Sequence, residues 1–119
     1  MDDGGFLMNA QELETAARLG VCFVSLIFND NSYGIIKSKQ LNAFGRSAFV
    51  DFSNPDFVKY AESFGAKGYL VESANELKPI LQDALKQRCL SIIDCPVDYS
   101  ENIILTQRLG KLTCPIANE

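Results

Sequence analysis

Two short polar stretches hold the residues best suited to chemistry. The first, Asp2-Asp3-Gly4-Gly5-Phe6, puts carboxylates beside a pair of glycines. The second, Asn29-Asp30-Asn31-Ser32-Tyr33-Gly34, follows the uncharged run VCFVSLIF at 21–28. Between Gly4 and Asn29 lie 24 residues (5 to 28), enough for one helix and one strand. The chain can therefore leave one edge of a sheet and return to it, which makes Asp3 and Asp30 expected neighbours. Two carboxylates plus a backbone carbonyl suit a hard cation such as Mg²⁺, which takes oxygen ligands at about 2.0–2.1 Å and completes its shell with water and phosphate oxygens. Gly4 and Gly5 would let the backbone approach a diphosphate and aim N–H groups at it, with favourable dipole from a nearby helix N-terminus.

Composition narrows what else the chain could do. It contains no histidine, which removes His-based triads, His-ligated zinc and ordinary His acid/base catalysis. With 11 basic and 15 acidic residues the net charge is -4, and no basic cluster interleaves with aromatics, so nucleic acid is not the expected partner. No apolar run reaches the roughly 20 residues that span a bilayer, and no stretch reads as a signal peptide, so a cytoplasmic location is expected. Cys22, Cys89, Cys95 and Cys114 lack metal-type spacing and read as buried free thiols of a reducing compartment.

The elements that must position the two stretches follow from periodicity and caps. Asn9 is the expected N-cap of a helix, with Glu12 as its capping-box partner, Leu13, Ala16 and Ala17 as the apolar stripe, Glu14 and Arg18 as an exposed pair, and Gly20 as its stop. The run at 21–28 reads as a strand buried on both faces. A short helix is expected over 35–41 and an irregular surface connection over 42–53. Asn54-Pro55 opens the next helix with Pro at its first position; Phe57, Tyr60, Ala61 and Phe64 line one face and Gly65 ends it. A strand at 68–71 leads to a helix from the Ser73–Glu76 capping box to about Arg88, with early turns distorted by Pro79. A third strand spans 90–94, and the tail SENIILTQRLG reads as a capped amphipathic helix. Alternating helices and strands indicate a single α/β domain over 1–119: three layers, a mostly parallel sheet with helices on both faces, joined by right-handed crossovers. In such sheets ligands sit at the carboxyl ends of the strands, where both polar stretches belong.

The pattern DDGGF…NDNSYG resembles the thiamine-diphosphate fingerprint, a Gly-Asp-Gly followed at this interval by an Asn-Asn pair. The longer string GGFLMNAQELETAARLG…FNDNSYGIIKSKQ…NPDFVKYAESFGAKGY…PVDYSEN is similar to the C-terminal cofactor-binding domain of acetolactate synthase-like enzymes over nearly the whole chain. The resemblance implies a thiamine-diphosphate-binding fold. It implies Mg²⁺ ligands from the Asp3 and Asp30 carboxylates and the Ser32 carbonyl, and a thiamine diphosphate site lined by Gly4, Gly5, Ser32, Tyr33 and Gly34. Ile35 and Ile36 would pack against cofactor and substrate. The implied chemistry is decarboxylation of a 2-oxo acid such as pyruvate and ligation of the product to a second oxo acid, giving acetolactate. No residue of this chain is assigned as acid or base, since the cofactor supplies the chemistry.

The resemblance departs from the family pattern in three ways. Asp2 stands where the family has its first glycine, putting charge beside an anion site. Asp30 stands where Asn is commonest, favouring the cation over the diphosphate. The strand leading into Asp3, the loops holding the rest of the cofactor, and the domain supplying the activating glutamate lie outside this sequence, to be provided by N-terminal domains or a second subunit. An oligomer is therefore expected, inactive without those parts. Two other readings compete with the enzyme part: a non-catalytic remnant or interaction module with the same fold, and the matching domain of another thiamine-diphosphate 2-oxo acid decarboxylase. Asp94 reads as structural, Lys37 and Arg46 as solvated charges, and Phe49, Phe52 and Phe57 as core or subunit contacts.

Overall fold

The computed structural model describes residues 1–101, so the expected tail helix lies outside the described residues. Three parallel strands, β1 (Val24–Asn29), β2 (Lys67–Leu70) and β3 (Ser91–Pro96), form a sheet in the order β1-β3-β2. Ser91 to Cys95, small or apolar except for Asp94, are all buried, so β3 takes the central position with both faces covered. β1 behaves differently from the expectation of two buried faces. Val21 and Phe23 precede it and are exposed, and within it only Ser25 and Ile27 are buried. Its Val24, Leu26 and Phe28 point to the face covered by α5 (Ala74–Gln87) and are only half covered there.

The other face carries α1 (Asp3–Leu7), α2 (Glu12–Arg18) and α4 (Phe57–Ser63), with Phe6, Leu13, Ala16, Phe57 and Ala61 packed on Ile27 and Ile92. The result is three layers, helix on sheet on helix, as expected for an α/β fold. The first departure from the expected elements is α1 itself. Residues given no element from the sequence are helical, although two glycines disfavour a helix by about 1 kcal/mol each. Phe6 compensates: its buried ring meets Phe57 edge-on at 5.5 Å and also contacts Tyr60, so packing overrides propensity.

Caps shift in the same way. α2 begins after Gln11, with no side-chain cap; Asn9 accepts the Glu12 N–H through its carbonyl instead of its side chain. Ala17, expected in the apolar stripe, is exposed, while the Glu14–Arg18 pair and the left-handed stop at Gly20 are present. α3 (Gly34–Phe44) is longer than 35–41 and buries none of its residues. α4 is capped by the Asp56 side chain, which accepts the Lys59 N–H at 3.0 Å, and not by Asn54; Pro55 lies before the helix. α5 has its full Ser73–Glu76 capping box and runs unbroken through Pro79. The carbonyl that loses its partner there belongs to exposed Asn75, where water can replace the bond. Of the cysteines, Cys95 alone is buried as expected; Cys22 is exposed, Cys89 is half-buried, and Cys114 lies outside the described residues.

Met1 and Asp2 lie parallel to β1 on the edge away from β3. The Met1 ammonium donates to the Leu26 carbonyl at 2.9 Å, and the Phe28 N–H donates to the Met1 carbonyl at 2.9 Å. The backbone entering Asp3 therefore already occupies the place of a neighbouring parallel strand, which brings Asp3 to the carboxyl edge of the sheet.

Candidate active-site edge

Asp3 is completely buried and joins the two polar stretches. Its Oδ1 accepts the Gly4 N–H at 2.9 Å, and its Oδ2 accepts the Asn31 N–H at 2.9 Å together with an Asn54 side-chain N–H. Asn31 adopts the left-handed conformation (φ 55), which Asn tolerates better than most residues, and that turn aims its amide at Asp3. The loop is braced further by residues 50–52: the Tyr33 N–H donates to the Val50 carbonyl and the Phe52 N–H to the Asn31 carbonyl. On the same loop the Asp30 Oδ2 accepts the Ser32 hydroxyl at 2.8 Å. A Cβ on Gly34 would lie 3.3 Å from that oxygen, so glycine there leaves room for the carboxylate to fold inward.

The glycines of the first stretch do different jobs. Gly4 is buried under the Tyr33 ring; a Cβ there would come within 2.7 Å of Tyr33 Cε1. Tyr33 in turn tilts against Phe52 at 4.8 Å. Gly4 therefore permits the close approach of α1 to the loop, and Tyr33 fills the space above it. Gly5 faces the Asp2 carboxylate, whose Oδ1 lies 2.5 Å from the position a Cβ would take. The extra charge that Asp2 was expected to bring sits beside the glycine pair. Ile35 and Ile36 are exposed at the start of α3. Lys37 is paired to Asp51 at 2.7 Å, both ends in solvent. Phe57 is core, Phe52 is half-buried and Phe49 is fully exposed.

Three residues of the site were given no individual role in it from the sequence, although Asn29 opens the second polar stretch. Asn54 donates both side-chain protons, one to Asp3 and one to the Asn29 side-chain oxygen at 2.9 Å. Asn29 passes its own amide proton to the Asp94 carboxylate at 3.0 Å. Asp94 is buried on β3, and that burial pushes its carboxyl above the usual range; the charges of Asp56 and Asp3 add to the rise, while the Asn29 bond opposes it. The Asn54 side-chain oxygen is buried without a partner among the described residues, a state that costs about 1–3 kcal/mol. A signal for Asn54 existed in Ser53-Asn54-Pro55-Asp56. It holds three cap-capable residues, Ser53, Asn54 and Asp56, and Pro biases the one before it towards extended backbone.

A cavity of about 320 Å³ opens beside this cluster, lined by Asp30, Ser32, Gly34, Lys37, Val97 and Tyr99 among others. The Tyr99 phenol on its wall is pushed up by burial and then by the charges of Asp30, Asp2 and Asp3. Among the described residues no group of three His, Cys, Asp or Glu side chains is placed to hold a metal. A cation here would need carbonyl, water or phosphate oxygens to complete its shell. Carboxylate and carbonyl oxygens, the donor types that Asp3, Asp30 and the loop offer, are those Mg²⁺ takes.

A three-layer parallel sheet with acidic loops meeting at its carboxyl edge places the chain among α/β proteins that bind ligands at that edge. Residues 1–95 match the family described as the thiamine pyrophosphate enzyme, C-terminal TPP binding domain, and the chain belongs to that family. It is 50% identical over 103 residues to an acetolactate synthase of Bacillus subtilis, covering 87% of this chain and 18% of that enzyme. A 3D-(3,5/4)-trihydroxycyclohexane-1,2-dione hydrolase of Halalkalibacterium halodurans is 39% identical over 102 residues, covering 80% of this chain and 16% of that enzyme. Among solved structures, a thiamine diphosphate-dependent 4-hydroxybenzoylformate decarboxylase of Rhodococcus jostii superposes with a TM-score of 0.75 at 28% identity, covering 85% of this chain and 19% of that one. The chain thus spans less than a fifth of the length of these relatives. No helix among the described residues is long and apolar enough to cross a membrane.

Proposed function

We propose that this chain is the Mg²⁺- and diphosphate-anchoring part of a thiamine-diphosphate enzyme of the acetolactate synthase kind. The observation that carries this reading is the Asp3 carboxylate accepting the Asn31 amide, which joins the two halves of the cofactor motif. Asp3 and Asp30 would supply carboxylate ligands and Ser32 its carbonyl. Gly5 and the Ser32 and Gly34 amides would face the diphosphate, since the Asn31 and Tyr33 amides are held by Asp3 and Val50, with Gly4 and Tyr33 supporting that loop from behind. Bound thiamine diphosphate supplies the electron sink for cleaving a 2-oxo acid and joining the acyl unit to a second one. The described residues of the site hold and orient, and none of them is assigned to move a proton. What supports the acetolactate synthase kind over other thiamine-diphosphate enzymes is the 50% identity to an acetolactate synthase. The exposed Ile35, Phe44 and Phe49 favour cover from further protein segments or a second copy.

Titration calorimetry with thiamine diphosphate tests the reading. Saturable binding is expected only with Mg²⁺ present and is lost in Asp3→Ala and weakened in Asp30→Ala. One observation favours a second reading, a remnant that keeps the fold without the ligand: the Asp2 carboxylate lies against Gly5, where an anion would sit. A folded chain with no heat of binding, restored by Asp2→Gly, would support that alternative.

A further inference from the structure

We propose that Asn54 is a positioning residue for the cation-binding carboxylate of Asp3, fixed in that role by Asn29 and Asp94; this rests on the Mg²⁺ reading above. The hydrogen bonds linking these side chains have a defined direction. Asp94 accepts from the Asn29 amide nitrogen at 3.0 Å, so the Asn29 oxygen must face Asn54. Asn54 meets that oxygen with one N–H at 2.9 Å and the Asp3 Oδ2 with the other. Turning the Asn54 amide over would set its oxygen against two acceptors. Its neighbours therefore commit both of its protons.

The consequence falls on Asp3. Its Oδ2 receives two donors, from Asn31 and Asn54, while its Oδ1 receives one, from the adjacent Gly4. The oxygen that accepts two hydrogen bonds fixes the carboxylate plane and leaves Oδ1 as the oxygen with capacity for a cation. Packing alone would not select asparagine at 54, because the arrangement leaves its own side-chain oxygen buried and unpaired among the described residues. Pro55 disfavours helical backbone at Asn54, which keeps that residue out of α4 and suits a side chain that reaches to Asp3. Groups that orient metal ligands in this way typically change metal affinity by about 10–100-fold when removed.

The test uses the full 119-residue chain and Mn²⁺ alone, with free Mn²⁺ read by electron paramagnetic resonance. Asn54→Leu, matched in size but without donors, is expected to weaken Mn²⁺ by about 10–100-fold and to alter the zero-field splitting of the bound ion, while remaining folded at the assay temperature. If Asn54→Leu does not fold, Asn54→Ser, too short to bridge Asn29 and Asp3, is judged by the same readouts. Wild-type affinity and an unchanged spectrum in the folded variant, with binding lost in Asp3→Ala, would overturn the positioning role and leave the Mg²⁺ reading intact. No Mn²⁺ binding by the wild type, or equal binding by Asp3→Ala, would overturn the Mg²⁺ reading and this inference together.

Discussion

Two carboxylates at opposite ends of the sheet each collect three donors, and their surroundings give those bonds different meaning. Asp83, on α5, accepts the Tyr69 hydroxyl at 2.7 Å, the Lys67 ammonium at 3.1 Å and the Gln87 amide at 3.1 Å, all near solvent. Those bonds, Tyr69 first, hold its carboxyl down at about 2. Asp3 accepts its three donors with no exposure at all. At the surface, water replaces each bond that is lost, so the cluster adds little to stability. In the interior a lost bond leaves a polar group stranded, so an inward-turned carboxylate with fixed partners is costly to keep without a task. Both charge clusters are visible in a contact map; only the second is built like a site.

Substitutions can break or sharpen that contrast. The largest effect is expected for Asp3→Ala, which strands the Gly4 and Asn31 amides and the Asn54 side chain and lowers the unfolding free energy by about 3 kcal/mol in urea titration. A loss no greater than that of Asp83→Ala would erase the distinction. Next is Gly4→Ala, whose methyl meets the Tyr33 ring; about 2 kcal/mol is expected, partly restored by adding Tyr33→Leu.

Asp94→Asn keeps an acceptor for Asn29 and removes a charge that burial disfavours. In the wild type the folded pKa of Asp94 is raised, so the folded chain holds a proton the unfolded chain has released. Stability therefore falls as pH rises from the ordinary carboxylate value near 3.9 through the raised one. The variant should lack that decline, melting above the wild type near neutral pH and converging with it in acid. The smallest effect is expected for Asp83→Asn. Its folded pKa is depressed, so its contribution is full above the ordinary carboxylate value and is lost only as pH falls towards about 2, leaving no resolvable change in melting near neutrality.

Features set by local chemistry were legible in the sequence. The Ser73–Glu76 capping box, the Phe57–Ala61 stripe and the left-handed stops at Gly20 and Gly65 all stand as read, because their partners lie within one or two turns. The layered fold was legible from the alternation of elements and the resemblance together. What escaped were choices settled by distant partners. Phe6 reaches Phe57 and so turns a glycine pair into a helix. Asp56 takes the cap of α4, which frees Asn54 for Asp3, 51 positions earlier in the chain. Asp94, set aside as structural, ends a chain of amides that begins at the motif carboxylate.

The central claim is that residues 3–5 and 30–34 serve one divalent cation, and nuclear magnetic resonance with Mn²⁺ tests it most directly. At substoichiometric Mn²⁺ the amide signals of both segments should broaden first and together, ahead of exposed carboxylates such as Asp51 and Asp83, and excess Mg²⁺ should reverse the effect. Broadening of one segment without the other, or a spread over surface carboxylates that spares Asp3 and Asp30, would contradict the account.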